Sequence, residues 1–385
     1  MFHNLIPISQ KETSNLTRDL LIPHNLLYKI KYVLISILLI SCKETKGQEH
    51  KDTADRFEWS AGISAPKFYP IGGVSVNFGY AAAGSITCFD AGWGIDYGSF
   101  VTGERYKPIP EEVFVKYISA VDNLEYKETI KLPKEKILQI FKENQKDFYK
   151  THEFNPYDTF NSKIIVGMAP GGWIRVWVRG NNDFQLKEVF KGKIPGYEDK
   201  TIDERFRVKN FENWGNTYLY WQKHGVPYEA WAENEKEYDI LYVYKENIKF
   251  KNLSYQTISQ DGTYFYGADF IEYKDAEDTD YKAKLPVQMT FSWSDIKNKK
   301  EYDTFVVFPK NFEKIYTTPY YDTVSKTEQN YNKIELEIEE SGNFGNVFLI
   351  GKNKRELLFR FKAVIAKSEV VGSGDYSPKV EYFIK

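Results

Sequence analysis

Trp173-Ile174-Arg175-Val176-Trp177-Val178-Arg179 alternates without a break. Side chains two residues apart share one face of a strand, so Ile174, Val176 and Val178 line one side. Trp173, Arg175, Trp177 and Arg179 line the other. Pro170-Gly171-Gly172 supplies a hairpin turn in front, and Gly180-Asn181-Asn182 ends the strand. The same grammar recurs outward in both directions. Val74–Phe78, Val113–Ser119, Glu125–Leu132 and Ile164–Met168 read as strands before it, and Val287–Trp293, Tyr302–Phe308 and Lys333–Glu339 after it. Gly92-Trp93-Gly94 and Tyr97-Gly98 read as tight turns, and the polar stretch 191–203 as a connection. Twenty-nine Tyr, 27 Phe and 8 Trp against 3 Met favour pleated surfaces, on which flat rings pack. A composition 42% hydrophobic excludes a disordered chain.

At 385 residues the chain exceeds one ordinary core, since domains run to roughly 150 residues. Helices interrupt the strands in few places. Pro133 opens one carrying Ile137, Leu138, Ile140, Phe141 and Phe148 on a single stripe. Thr217–His224 reads as a second, stopped by Gly225, and Pro227 restarts a short third with Tyr228 and Trp231. Glu125-Tyr126 and Glu301-Tyr302 each open a strand that ends in an apolar-Pro-Lys triplet, Leu132-Pro133-Lys134 and Phe308-Pro309-Lys310. The hairpin at Gly171-Gly172 has a counterpart near Gly345. The expectation is mainly β (α+β): two related antiparallel β domains, 56–195 and 196–385, each with one or two packed helices, and an internal duplication. The alternative is chance recurrence of a common strand-Pro-helix arrangement.

Before residue 56 the sequence states an address. Lys29 and Lys31 precede eight residues, Val33 to Ile40, that are apolar but for one Ser. That run is far short of the roughly 20 residues that span a bilayer, and it suits the h-region of a secretory signal. Leu39-Ile40-Ser41-Cys42 then resembles the lipobox of bacterial lipoproteins, whose signal is cut before a Cys that becomes acylated. Residues 1–41 are therefore read as an N-terminal extension and signal, and 42–55 as a polar tether. Cys42 is the expected lipid attachment, and several acyl chains make such anchoring stable. Beyond residue 41 the chain carries 48 basic and 52 acidic groups, with no basic excess to neutralise phosphates, so nucleic acid is not an expected partner. Cys88 is then left without an intrachain partner and reads as a small buried apolar residue.

Trp59, Ser64-Ala65-Pro66, Tyr69-Pro70, Gly92-Trp93-Gly94, Leu132-Pro133 and Val166-Gly167-Met168-Ala169-Pro170-Gly171-Gly172-Trp173 follow one another in order, with Val176-Trp177 and Gly180 behind them. This succession resembles the bacterial envelope lipoprotein family called domain of unknown function 2931, closely over about 57–195 and loosely beyond. The resemblance implies an envelope lipoprotein and carries no catalytic residues with it. The Tyr- and Lys-rich composition suits a low-GC Gram-negative bacterium.

Motifs for chemistry are few. Beyond residue 41 the histidines are His50, His152 and His224, in no zinc-binding spacing, so neither metal nor cofactor is expected. His152 and His224 read as surface or helix-end residues, where an imidazolium suits the helix dipole. No nucleophile elbow, P-loop or dinucleotide fingerprint occurs. The candidate binding face is Trp173, Arg175, Trp177 and Arg179, with Trp93 between its glycines as a second aromatic. Trp and Arg lead interface hot spots; cross-strand packing under a helix or the other half is the competing role for the same face. The function expected is a lipid-anchored, non-enzymatic binding module of the cell envelope, in the outer membrane rather than the inner. Its partner would be a membrane through Cys42 and an unknown envelope protein or glycan, as in toxin sequestration or glycan capture. The alternative is an envelope hydrolase with a non-obvious active site.

Overall fold

Ile174, Val176 and Val178 are fully buried, as their alternation requires, in a computed structural model that describes residues 56–98, 100–151, 162–180, 186–201, 216–233, 235–245, 249–269, 271–272, 282–366 and 382–384. The chain begins with β1 (Arg56–Ala65), β2 (Ile71–Asn77), β3 (Ala82–Phe89), β4 (Gly92–Tyr97), β5 (Phe100–Thr102) and β6 (Tyr106–Pro108). It continues through β7 (Glu112–Ser119), β8 (Leu124–Lys131), helix α1 (Lys134–Thr151), β9 (Ser162–Ala169), β10 (Trp173–Arg179), β11 (Lys187–Lys193) and β12 (Gly196–Tyr197).

These strands make two sheets. One runs β11-β10-β9-β1-β4, with β6 on β1, and the other β12-β8-β7-β2-β3-β5. Only β1 and β9 run parallel here among the described residues, because the chain crosses through the second sheet and α1 before it returns. Their inner faces merge in one core that holds Trp59, Ile63, Val115, Tyr117, Val166 and Val176. Pro133 opens α1 as expected, accepting the amide of Ile137 at 3.0 Å. The helix then lays Ile137 and Phe141 onto this core, with Phe141 edge-on to Phe57 at 5.5 Å.

Helices α2 (Asn216–His224) and α3 (Tyr228–Ala232) connect the halves. The second half contains β13 (Glu237–Asp239), β14 (Leu241–Tyr244), β15 (Phe250–Ser259), β16 (Tyr264–Asp269), β17 (Ile271–Glu272), β18 (Lys282–Lys284), β19 (Pro286–Asp295) and β20 (Lys300–Val307). Helix α4 (Phe312–Thr317) precedes β21 (Tyr320–Asp322), β22 (Thr327–Gln329), β23 (Tyr331–Ile338), β24 (Phe344–Gly351), β25 (Lys354–Lys362) and β26 (Tyr382–Ile384). Its order β25-β24-β23-β14 repeats β11-β10-β9-β1, and β20-β19-β15-β16 repeats β8-β7-β2-β3. Again the last two members of that order, β23 and β14, run parallel. The protein is thus strand-rich, with several antiparallel sheets and few helices.

Three local expectations are corrected. Gly92-Trp93-Gly94 is not a turn but the start of β4. Gly94, at φ +84°, turns its amide onto Ser64 Oγ at 2.8 Å, and Ser64 Oγ donates to the Gly92 carbonyl at 3.0 Å. This kinked pairing keeps the glycines in the sheet and turns Trp93 inward. Lys187–Lys193 is a strand despite its polarity, because β11 is a sheet edge on which all but Val189 keep some contact with solvent. The turn matching Gly171 falls at Gly342, whose amide donates to the Glu339 carbonyl at 2.8 Å. Gly345 lies within β24, against the Phe361 ring.

Candidate functional site at the junction of the halves

The Trp/Arg face of β10 does not look out into solvent. Arg175 and Trp177 are each 6% exposed and Trp93 is 3% exposed, whereas Trp173 and Arg179 are half-buried. What covers the face is a third apolar cluster at the junction, in which Trp93 and Trp177 meet Tyr69, Tyr220 and Trp231 from the first half and the connection, and Ile258, Phe305 and Val307 from the second half. Trp93 and Trp177 stack edge to face at 5.1 Å. Trp177 reaches this position over Gly167, where an added Cβ would lie 2.5 Å from its ring. Arg175 closes the seam. One guanidinium nitrogen donates to the carbonyls of Trp231 at 3.0 Å and Glu233 at 2.6 Å, and another to Glu188 at 3.0 Å. It thereby satisfies carbonyls at the C-terminal end of α3 that have no intrahelical partner. Arg179 donates to Asp96 at 2.6 Å, and Lys163 joins the same carboxylate. Burial raises the Asp96 pKa, but the hydrogen bonds and charges of Lys163 and Arg179 prevail and hold it below the usual carboxylate range.

Trp173 alone of the ladder reaches an open groove of about 520 Å³, shared with Tyr126, Lys193, Pro195 and Tyr228. Lys193 Nζ stands 5.4 Å from the Trp173 ring centre. At the floor of this groove the turn amide of Gly171 donates to Asp122 at 2.6 Å, and the hydroxyls of Tyr126 and Tyr228 donate to the same carboxylate at 2.9 and 2.6 Å. The acceptor on the amide of the Pro170-Gly171-Gly172 turn is thus the protein's own Asp122. Burial and this carboxylate push the Tyr126 and Tyr228 hydroxyls well above their ordinary pKa.

A deeper cleft of about 570 Å³ lies where α2 faces β13, β19 and the start of α4. His224, the last residue of α2, lines it beside Tyr220, Glu235, Tyr238, Lys310 and Glu313. Burial, with Lys223 and Lys310 nearby, lowers the His224 pKa to about 4. The expected imidazolium at this helix end is therefore corrected to a neutral ring near pH 7: desolvation outweighs the helix dipole. Glu235 moves the other way. Burial, then the charge of Asp261, raise it to about 8, although Lys284 and the Asp261 amide (3.0 Å) pull against the shift. Tyr238 donates to Glu313 at 2.5 Å. Tyr69 donates to the Gly225 carbonyl at 2.8 Å and so ties β1–β2 to the end of α2. Nothing in the sequence marked Glu235, Tyr238 and Lys310 as sharing a site, because the stretches that hold them meet only in the folded chain.

Cys42, His50 and His152 lie outside the described residues, as does the acidic run 275–280. Cys88 is placed in β3 opposite Gly72, while its side chain lies outside the description. Among the described residues no group of three or more His, Cys, Asp and Glu could hold a metal ion. Nor is any helix among them long and apolar enough to cross a membrane. No curated protein and no solved structure matches the chain. Residues 43–229, which take in the first half, α2 and the start of α3, match the family model described as Protein of unknown function (DUF2931).

Proposed function

We propose that this chain is a cell-envelope lipoprotein, with the outer membrane as host, in which acylated Cys42 tethers a β scaffold that works as a non-enzymatic binding module. The observation that carries the reading is the succession at the start of the chain. A basic flank and eight largely apolar residues end in Leu39-Ile40-Ser41-Cys42, a polar tether follows, and the family match starts at residue 43. The scaffold supports the binding part, because its aromatic seam ties the two halves together and leaves two concavities, at Trp173 and at His224. The partner is an envelope protein, as in sequestration of a toxic enzyme, or a glycan. The repeated strand order is read as an internal duplication, supported by positions 171 residues apart that pair Trp173 with Phe344 and Trp177 with Phe348.

Labelled palmitate supplied to cells expressing the full chain tests the anchor. Incorporation into the wild type and none into Cys42→Ser, with recovery of the wild type in membranes, is the expected result. An unlabelled wild type recovered from cytosol overturns it. The hydrolase reading draws on one observation, a neutral His224 in a cleft with Glu235 and Glu313. No serine lines that cleft among the described residues, so His224 would have to activate water directly. Ester or glycoside turnover lost in His224→Ala would favour it.

A further inference from the structure

We propose that the cleft between α2 and the start of α4 binds carboxylated sugar units of an acidic polysaccharide. This inference rests on the binding reading above and names its ligand. The volume of about 570 Å³ falls within the roughly 300–1,000 Å³ of ordinary ligand clefts. Its wall includes the part-exposed ring of Tyr238, a flat surface of the kind on which a sugar ring packs. Lys223, Lys236 and Lys310 come from three separate stretches of chain to this cleft, and all three are exposed. Among the described residues none of them makes an ion pair, although lysines elsewhere on the surface repeatedly do.

Two acids, Glu235 and Glu313, face these three lysines, so cations outnumber carboxyls at the cleft. Burial and Asp261 push Glu235 toward its protonated form, and Glu313 accepts the Tyr238 hydroxyl. A neutral imidazole donates and accepts hydrogen bonds, as do the side-chain amides of Gln260 and Asn311 at the same cleft. Convergent cations call for an anion. The Tyr238 ring and neutral polar groups that both donate and accept call for hydroxyls on a flat body. A carboxylated sugar has both parts, whereas a bare inorganic anion has only the first.

Isothermal titration of the full chain in detergent micelles with trigalacturonate, maltotriose and inorganic phosphate tests this. Trigalacturonate is expected to bind, with maltotriose and phosphate at least tenfold weaker. Lys223→Gln and Lys310→Gln are each expected to weaken trigalacturonate about tenfold, the loss of one charge-assisted hydrogen bond, about 1.4 kcal/mol. Both side chains are exposed, so an unchanged circular dichroism spectrum checks that the variants fold. No binding of trigalacturonate, equal binding of maltotriose or phosphate, or lysine variants that bind as the wild type does would overturn the proposal. Palmitate labelling of Cys42 is read separately, so failure of the cleft and failure of the anchor are told apart.

Discussion

Replacing Trp177 by alanine separates a seam residue from a ligand-stacking residue. The indole is 6% exposed, stands edge-on to Trp93 at 5.1 Å and fills the space over Gly167. A ring of this kind buries about 200 Å², and at roughly 25 cal/mol per Å² its removal from the core costs about 5 kcal/mol. Truncations of buried aromatic residues to alanine cost about 3–5 kcal/mol, so the two routes agree. Trp173, half-buried at the groove edge, has far less to lose and should cost about 1 kcal/mol. Urea unfolding of the full chain in micelles, followed by far-ultraviolet circular dichroism, measures both variants. A Trp177→Ala loss below about 1 kcal/mol, or a Trp173→Ala loss as large, would refute the claim that the ladder fastens the halves. The double variant Trp93→Ala/Trp177→Ala sharpens the result, since two rings in contact should show a coupling of about 0.5–1.5 kcal/mol.

Asp122→Ala removes the acceptor shared by the Gly171 amide and two tyrosine hydroxyls, and should destabilise by about 1–3 kcal/mol. Amide exchange should rise first in Tyr228–Ala232, which loses its tether, and uniform exchange across the chain would contradict this. His224 titrates near 4 when folded against an ordinary 6.5, so its contribution is intact above 6.5 and is lost as pH falls toward 4. Glu235 has the opposite sign: its folded pKa of about 8 exceeds the ordinary 4.5, so stability from its protonated form declines as pH rises from 4.5 through 8. Urea midpoints of the wild type between pH 4 and 9 should therefore lose their acid-side fall in His224→Asn and their alkaline-side fall in Glu235→Gln. Curves unchanged in both variants would remove these groups as the source.

The sequence by itself determined the local layer of this protein. Period-two alternation placed Ile174, Val176 and Val178 inside, because a strand has only two faces and the aliphatic one must leave water. Pro133, Gly225 and Pro227 marked helix ends through backbone constraints that act within a few residues. The ordered motif around Trp59, Trp93 and Trp173 named the family over the region that matches it. Alternation could not say what lies on the second face of β10. A Trp/Arg face suits a binding surface as well as a buried seam, and the choice depended on α3 and the second half arriving on it. Gly92-Trp93-Gly94 was misread for the same reason: whether glycines bend a chain or let it pair closely is settled by the neighbour, here Ser64. The cleft around His224 was not legible at all. Its histidine, carboxylates and lysines lie up to about ninety residues apart, and burial, which sets their charge, exists only once the halves have packed.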